Sequence, residues 1–522
     1  MLLSLAQATA PIEPFHVACL ILGVGMLLWD TIEVGRNDAV NLTNAVFGAR
    51  ILGRRTILLI AGVGVVAGAT LSSDVIETAR KGIFDPEMLT INQALAVFVS
   101  VYLVDTILLY SYSAYGMPVS TTACLVFELL GAAFAIKFAA VIHWGNSGKV
   151  ISGIVVSIIL SGIASFFIQR AVRGALRDRT KQLAALLLHG GWVGGGMATA
   201  LCYYMLLKGM KNVAAIKALK KSIDTSEFGE IGFVLILWAV FAIAIHFLLV
   251  VFRKKAARLL FPVLAVLGML SLAFAFGQND LANCASPGLA VYALVTHLDD
   301  GVQAVTRVDV PRWQLFICGV LLVGGMMTRN ALRVTKAQIR AGSQADHVAL
   351  WAPQWCITLA EKLLSLRGRS ESLAPRSVDL PTGERMHYDV LRASTITCVS
   401  ACVIATASSL KLPVSTTYVT FAAILATGFA DRIFQRGDSS LKLGRIIWVI
   451  SSWFISAGIA AVAAGLICRL VYHFSIVGMT VALIINFTVR RIITRRADEQ
   501  ERRVEEEAYE RAHPDEFALE DE

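Results

Sequence analysis

Two aspartates, four asparagines and six serine or threonine hydroxyls recur at matching places in two greasy halves of this 522-residue chain. In the first half, Gly35-Arg36-Asn37-Asp38-Ala39-Val40-Asn41 is followed by Pro118-Val119-Ser120-Thr121-Thr122. In the second, Gly277-Gln278-Asn279-Asp280-Leu281-Ala282-Asn283 is followed by Pro413-Val414-Ser415-Thr416-Thr417. Carboxylates, amides and hydroxyls are oxygen ligands for hard cations. Serine, threonine and the free N–H groups of helix N-termini are donors for an oxyanion. Charged and amide side chains at membrane depth are expensive, and they mark a substrate or ion path. A doubled set points to a transporter of two internal repeats with one site between them. An enzyme would need a nucleophile or a metal cluster, such as His with Asp at a membrane face. No such arrangement is seen, so no catalytic residue and no metal site are expected, and no cofactor.

The elements that position these groups must lie in a bilayer. The composition is 56% hydrophobic and 16% charged, with a mean hydropathy of +0.66; soluble domains carry about 25% charged residues. The formal charge is +9, but residues 498–522 alone hold 12 acidic residues and 3 arginines. The rest of the chain is therefore strongly basic, in short loops between apolar spans. That pattern fits a cytoplasmic membrane face and not nucleic-acid binding. The nine cysteines form no C-x-x-C pair and read as small buried hydrophobes. Met1 to Ala10 lacks the basic region and the long apolar core of a signal peptide.

Apolar spans are expected near 14–48, 56–72, 92–112, 120–141, 150–168, 191–207, 229–250, 258–298, 312–328, 391–410, 415–435, 446–468 and 473–490. A crossing needs about 20 residues, so 14–48 and 258–298 are too long for one. Each holds a G-x-N-D motif near its middle, and a helix broken at the glycine is expected in both. Each P-V-S-T-T segment sits between paired apolar stretches and reads as the tip of a re-entrant hairpin. Proline leaves the residue before it extended, and Ser-Thr-Thr suits a helix N-terminus. With both hairpins returning to their own side, Arg50-Arg54-Arg55, Arg170-Arg173-Arg177, Arg253-Lys254-Lys255, Arg329-Arg333-Lys336 and Arg490-Arg491-Arg495-Arg496 fall on one face. Asp74-Glu77-Asp85-Glu87 and Asp299-Asp300 fall on the other, while the lysines from Lys208 to Lys221 dissent. Five crossings then separate the two broken helices, an odd number, so the repeats run in opposite orientations.

The expected fold is thus an all-α polytopic membrane protein of two inverted-topology repeats with broken helices and re-entrant hairpins. Repeat 1 spans 12–207, a connecting loop and helix 208–256, repeat 2 257–490, and a charged cytoplasmic tail 491–522. Repeat 2 carries a polar cytoplasmic insertion at about 329–390, with an amphipathic surface helix near Trp351–Leu366.

The four motifs, in this order and in two hydrophobic halves, resemble the inorganic phosphate transporter family, the sodium- or proton-coupled permeases with paired G-A-N-D-V-A-N and P-V-S-T-T-H signatures. The similarity covers about 14–168 and 258–468. It implies a phosphate site formed by Ser120, Thr121, Thr122, Ser415, Thr416, Thr417, Asn37 and Asn279. It also implies that Asp38, Asn41, Asp280 and Asn283 hold the coupling ion, H+ or Na+. The implied activity is symport of inorganic phosphate across the plasma (inner) membrane, and a homodimer is an arrangement the resemblance allows. Carriage of sulfate, carriage of a metal–phosphate complex, and phosphate sensing without transport are the alternatives. Arg36 and Gln278 replace the family's small residue, and Ala123 and Tyr418 stand where histidine follows P-V-S-T-T.

Arg36 reads as a bidentate phosphate ligand, as a partner of Glu33 or Asp38, or as pointing to a water-filled vestibule. Asp30, Asp105 and Glu128 fall in apolar spans and are candidate proton carriers; the plainer readings are a paired carboxylate or one facing a vestibule, and Lys137 is a distant candidate partner for Glu128. The missing histidines and the added carboxylates tilt the expected coupling toward protons.

Overall fold

The computed structural model describes residues 12–72, 83–176, 182–211, 213–226, 228–303, 311–345, 347–366, 386–435 and 437–512. Met1 to Ala10, Asp74, Glu77, Arg177, residues 367–385 of the insertion and 513–522 of the tail lie outside the described residues.

Among the described residues the regular structure is helical. In chain order the helices are α1 Pro14–Asn37, α2 Asn44–Gly48, α3 Arg54–Thr70, α4 Ile91–Ala114, α5 Thr121–Lys137, α6 Trp144–Leu176 and α7 Leu183–Tyr203, which runs on as a π-helical turn over Tyr204–Gly209. Then come α8 Ala214–Asp224, α9 Gly229–Thr296, α10 Arg312–Met326, α11 Arg329–Ala341, α12 Gln354–Ser365, α13 Val390–Ser409, α14 Thr416–Ala430 and α15 Ser439–Ala512. Eight of these elements are long and apolar enough to cross a membrane. Two of the eight turn within themselves. Arg253, at φ 41°, divides α9 into arms 229–252 and 254–296, and Ser475, at φ 50°, divides α15 into arms 439–474 and 476–512. A Cβ on Gly194 of α7 would meet Ile245 on one arm of α9 and both Leu260 and Leu264 on the other. Large apolar side chains such as Ile163, Phe167, Ile243, Phe247, Phe454 and Leu466 face outward, exposed. On a protein of this composition that is a lipid-facing surface, and the chain is a multi-pass membrane protein.

Both P-V-S-T-T segments are hairpin tips whose arms return to the side they left. The base of α4–α5 is closed by an antiparallel bridge between Phe84 and Ile142, with His143 N–H donating to Ile83 O at 3.1 Å. The base of α13–α14 is closed by Arg173, which pairs with Asp389 before α13 and, at 2.8 Å, with Asp431 after α14. At each tip the serine caps the following helix. Ser120 Oγ accepts from Ala123 N–H and Ser415 Oγ from Tyr418 N–H, both at 3.1 Å. The N-terminal ends of α5 and α14 thereby point inward, with their free N–H groups and positive dipole ends.

The two G-x-N-D segments differ from each other. The first is broken, but after Asn37 and not at Gly35, which stays helical: residues Ala39–Leu42 form one 3-10 turn, and α2 resumes at Asn44. The second stays helical throughout arm 254–296, so the break expected at Gly277 is absent. Both glycines serve close packing instead. A Cβ on Gly35 would lie 2.0 Å from Leu322 O, and one on Gly277 would lie 2.3 Å from Val65 O. Small residues are what let membrane helices approach this closely. The glycine-rich face of α7 works in the same way, since a Cβ on Gly195 would lie 2.7 Å from Ala242 N.

Part of the polar insertion is not a loop. Thr328 caps α11, with its Oγ1 accepting from Ala331 N–H at 3.3 Å, and α11 leaves α10 at a bend of 67°. One face of α11 is buried, including Val334, Gln338 and Ile339. The amphipathic helix expected near Trp351–Leu366 is α12.

Candidate functional site

The two hairpin tips and the two N-D segments converge on one buried cluster. Asp38 is 1% and Asp280 0% exposed. The Asp38 carboxylate accepts three hydrogen bonds: from Thr121 Oγ1 at 2.6 Å, Thr121 N–H at 3.2 Å and Thr417 Oγ1 at 2.5 Å. Donors from both halves therefore meet on one carboxylate. The tips also touch directly, since Thr122 Oγ1 donates to Val414 O at 3.0 Å.

The asparagines hold the tips in a reciprocal pattern. Asn37 Oδ1 accepts from Val119 N–H at 3.0 Å, and Asn279 Oδ1 accepts from Val414 N–H at 3.4 Å. Each of these binds the tip of its own half. Asn41 Nδ2 donates to Thr417 at 2.6 Å, and Asn283 Nδ2 donates to Thr122 at 2.8 Å. These two cross to the opposite half, at equivalent positions. All twelve expected motif residues, Asn37, Asp38, Asn41, Ser120, Thr121, Thr122, Asn279, Asp280, Asn283, Ser415, Thr416 and Thr417, are buried.

The symmetry fails at the second aspartate. Asp280 Oδ1 accepts only from Asn283 Nδ2, at 2.9 Å. Its Oδ2, Asn283 Oδ1 and Thr416 Oγ1 are buried with no hydrogen-bond partner. The Asn283 amide is not ambiguous in orientation, because its Nδ2 faces oxygen acceptors on Asp280, Thr121 and Thr122. Buried polar atoms are nearly always paired, so these open carboxylate, carbonyl and hydroxyl oxygens mark a place able to hold an ion, a ligand or water.

Arg36 lies aside from the hydroxyls. Its Nη1 donates to Glu33 at 2.6 Å and its Nε to Thr328 at 3.3 Å. Glu33 is also bound by Arg490 at 2.5 Å, and Arg490 stacks 4.0 Å over Tyr110. Asp30, Asp105 and Glu128 are buried; the Asp30 and Asp105 carboxyls lie within hydrogen-bonding reach of each other, and neither oxygen of Glu128 has a partner. The distant pairing of Glu128 with Lys137 is therefore not formed.

One residue of the cluster escaped sequence reasoning. Gln338, on the buried face of α11, donates through Nε2 to Asn41 Oδ1 and accepts from Asn44 Nδ2. It lies far from any motif, in a segment read as an insertion. Its only sequence signal is a glutamine on the apolar stripe of Ala331, Val334 and Ile339.

Known proteins match this arrangement over most of its length. The profile of the phosphate transporter family matches residues 34–337 and 381–464, which include all four motifs. A candidate phosphate permease of Pyrococcus horikoshii is 28% identical over 468 residues, covering 88% of this chain and 98% of its own. Its counterpart in Haemophilus influenzae is 24% identical over 433 residues, covering 81% and 89%. A solved structure titled the sodium-dependent phosphate transporter shares the fold, with a TM-score of 0.64 at 20% identity, covering 88% of this chain and 99% of that one. With its paired motifs inside the matched segments and folded onto one buried centre, the chain belongs to the phosphate transporter family.

Proposed function

We propose that this protein is a secondary symporter that imports inorganic phosphate together with a cation held at Asp38 and Asp280. The observation that carries the reading is the use of the tip hydroxyls. Thr121 and Thr417 donate to the Asp38 carboxylate at 2.6 and 2.5 Å. The same hydroxyls, with the N-termini of α5 and α14, are the donors a phosphate needs. Carboxylate and phosphate thus compete for one set of donors. A cation on Asp38 weakens its hold and lowers the repulsion of the arriving anion, so the two cargoes favour each other. Ser120, Ser415, Thr122, Thr416, Asn37 and Asn279 complete the anion site, while Asn41 and Asn283 complete the cation sites.

Sodium is the cation this donor set favours. A proton on Asp280 supplies a single O–H donor, enough for one further oxygen, whereas Asn283 Oδ1 and Thr416 Oγ1 are both open as well. A hard metal cation accepts carboxylate, carbonyl and hydroxyl oxygens together. The similar solved structure is itself titled sodium-dependent. Protons remain the second reading, because Asp30, Asp105 and Glu128 are buried carboxyls outside the motif cluster.

The crossed bonds Asn41–Thr417 and Asn283–Thr122 support two inverted repeats, 12–207 and 257–490, joined by 208–256. The arginine-rich face carries Arg333, Arg490 and the tail from 491, and by the positive-inside rule it is the cytoplasmic face of the plasma membrane. Radiolabelled phosphate uptake into proteoliposomes, under sodium and proton gradients imposed separately, tests the reading. Accumulation driven by sodium alone is expected. Exchange of label without accumulation under either gradient would reject symport.

A further inference from the structure

A single directional chain of hydrogen bonds runs from α11 into the cation site. Asn44 Nδ2 donates to Gln338 Oε1, and Gln338 Nε2 donates to Asn41 Oδ1. Asn41 Nδ2 donates to Thr417 Oγ1 at 2.6 Å, and Thr417 donates to Asp38 Oδ1 at 2.5 Å. Every member is buried. Gln338 and Asn41 each pass one donor forward and take one from behind; the Asp38 carboxylate, which only accepts, fixes the direction, and Gln338 holds Asn41 in the orientation that matches it.

Helix α11 also covers this side of the site. Its backbone packs under the first hairpin tip, where a Cβ on Gly116 would lie 3.1 Å from Arg333 O. On its outer side Arg333 pairs with Asp498 and, at 2.6 Å, with Glu501 of α15, and Arg329 reaches Glu501 at 3.2 Å. Its N-terminal end is tied to α1 through Thr328 and Arg36, at 3.3 Å.

We propose that α11 is the cytoplasmic cover of the transport site and that Gln338 is a positioning residue for the cation at Asp38. While α11 is docked, Gln338 fixes the Asn41 amide so that the Thr417 hydroxyl turns to Asp38. When α11 leaves, Asn41 loses its anchor and the Thr417 hydroxyl is no longer held on Asp38, so a cation meets less competition for that carboxylate. This rests on the reading of Asp38 as a cation-site residue. A glutamate at 338 keeps the acceptor for Asn44 but has no donor for Asn41. Asn41 would then turn its NH2 toward 338 and its carbonyl toward Thr417, drawing that hydroxyl off Asp38.

The test measures uptake in proteoliposomes by wild type, Gln338→Glu and Gln338→Leu. The driving ion is sodium, or protons if sodium drives no wild-type uptake, so a wrong ion choice is separated from failure of this inference. Because that bond competes with the cation for the carboxylate, its loss should lower the half-saturating cation concentration about tenfold in both variants. Maximal rate, and phosphate half-saturation at saturating cation, should stay near wild type. If either variant fails to fold, Asn44→Ala, which removes only the donor to Gln338, should show the same shift in smaller measure. An unchanged cation half-saturation in the folded variants overturns the proposal, as does a fall in maximal rate alone.

Discussion

The asymmetry between the two aspartates makes Asp38→Asn and Asp280→Asn differ in kind. Asp38 accepts three bonds, and bonds to charged groups contribute about 1.5–3 kcal/mol each. In Asp38→Asn one side-chain oxygen survives, and the new NH2 cannot accept from Thr121, which offers both N–H and O–H to Oδ2. Turning the amide over moves the same conflict onto Thr417 Oγ1. The variant should be destabilised by about 2–4 kcal/mol, after allowance for local rearrangement. Asp280→Asn gives up little, since Oδ1 can still accept from Asn283 while the new NH2 replaces an oxygen without a partner. In cation-free buffer its stability should match or exceed wild type, because a buried open carboxylate is itself costly. The assay is thermal unfolding of purified protein, with and without sodium, alongside uptake. Saturating ligand at about 100 times its Kd stabilises a protein by about 2.7 kcal/mol. Wild type should show a sodium-induced rise in Tm, Asp280→Asn should lose most of it while folding normally, and both variants should lose most uptake. A sodium response retained in Asp280→Asn, together with uptake, would refute the assignment of the open oxygens.

Paired substitution of Ser120→Ala with Thr121→Val, or of Ser415→Ala with Thr416→Val, should weaken phosphate binding more than cation binding, as separate titrations in detergent would show. Gly277→Ala places a methyl group 2.3 Å from Val65 O; overpacking of this kind costs about 1–3 kcal/mol or more, and it should appear as a lowered Tm with normal composition of the site. Arg333→Glu should loosen α11, measured as faster proteolysis of the tail. The direct cost should be about 1 kcal/mol, because the Asp498 carboxylate is 37% exposed and screened by water. Hydrogen bonding to Arg333 holds Asp498 below the usual carboxylate range; at Glu501 burial acts upward, but Arg333 outweighs it and the carboxyl is again lowered. The latch is therefore fully present at neutral pH and above, and it is lost only as pH falls through these depressed values. Added salt, not mild acidification, should reproduce the Arg333→Glu effect.

What was legible in the sequence was what chemistry makes rare in a membrane. Asp38, Asp280 and the hydroxyl tips stood out because their residue types are costly there, and the structure gathers them into one cluster. The hairpins were legible because proline followed by Ser-Thr-Thr specifies an extended residue and then a capped helix. The second helix break was not, because glycine has two uses, and Gly277 permits contact with Val65 and does not interrupt the helix. Local sequence does not separate those uses; only the neighbour does. Gln338 was hidden for a related reason. Its importance comes from a partner 297 positions away, and a single glutamine on a short amphipathic helix has no pattern of its own.

On the proposed reading, the reciprocal asparagines tie both halves to one cargo. Asn41 and Asn283 each hold a threonine of the opposite tip, at 2.6 and 2.8 Å. A shift of one hairpin therefore pulls on the aspartate cluster of the other half. With Thr417 also bound to Asp38, a cation that relaxes that carboxylate loosens both tips at once. A phosphate that takes the freed hydroxyls then closes the same tips around itself. On the proposed symport reading, cation first and phosphate second is the expected order, because phosphate arriving alone would meet donors already occupied and a carboxylate of its own sign. Initial-rate measurements can check it: raising sodium should lower the half-saturating phosphate concentration, while saturating phosphate should not replace sodium. Equal phosphate affinity with and without sodium would show that the hydroxyls are not shared and would undo the ordering.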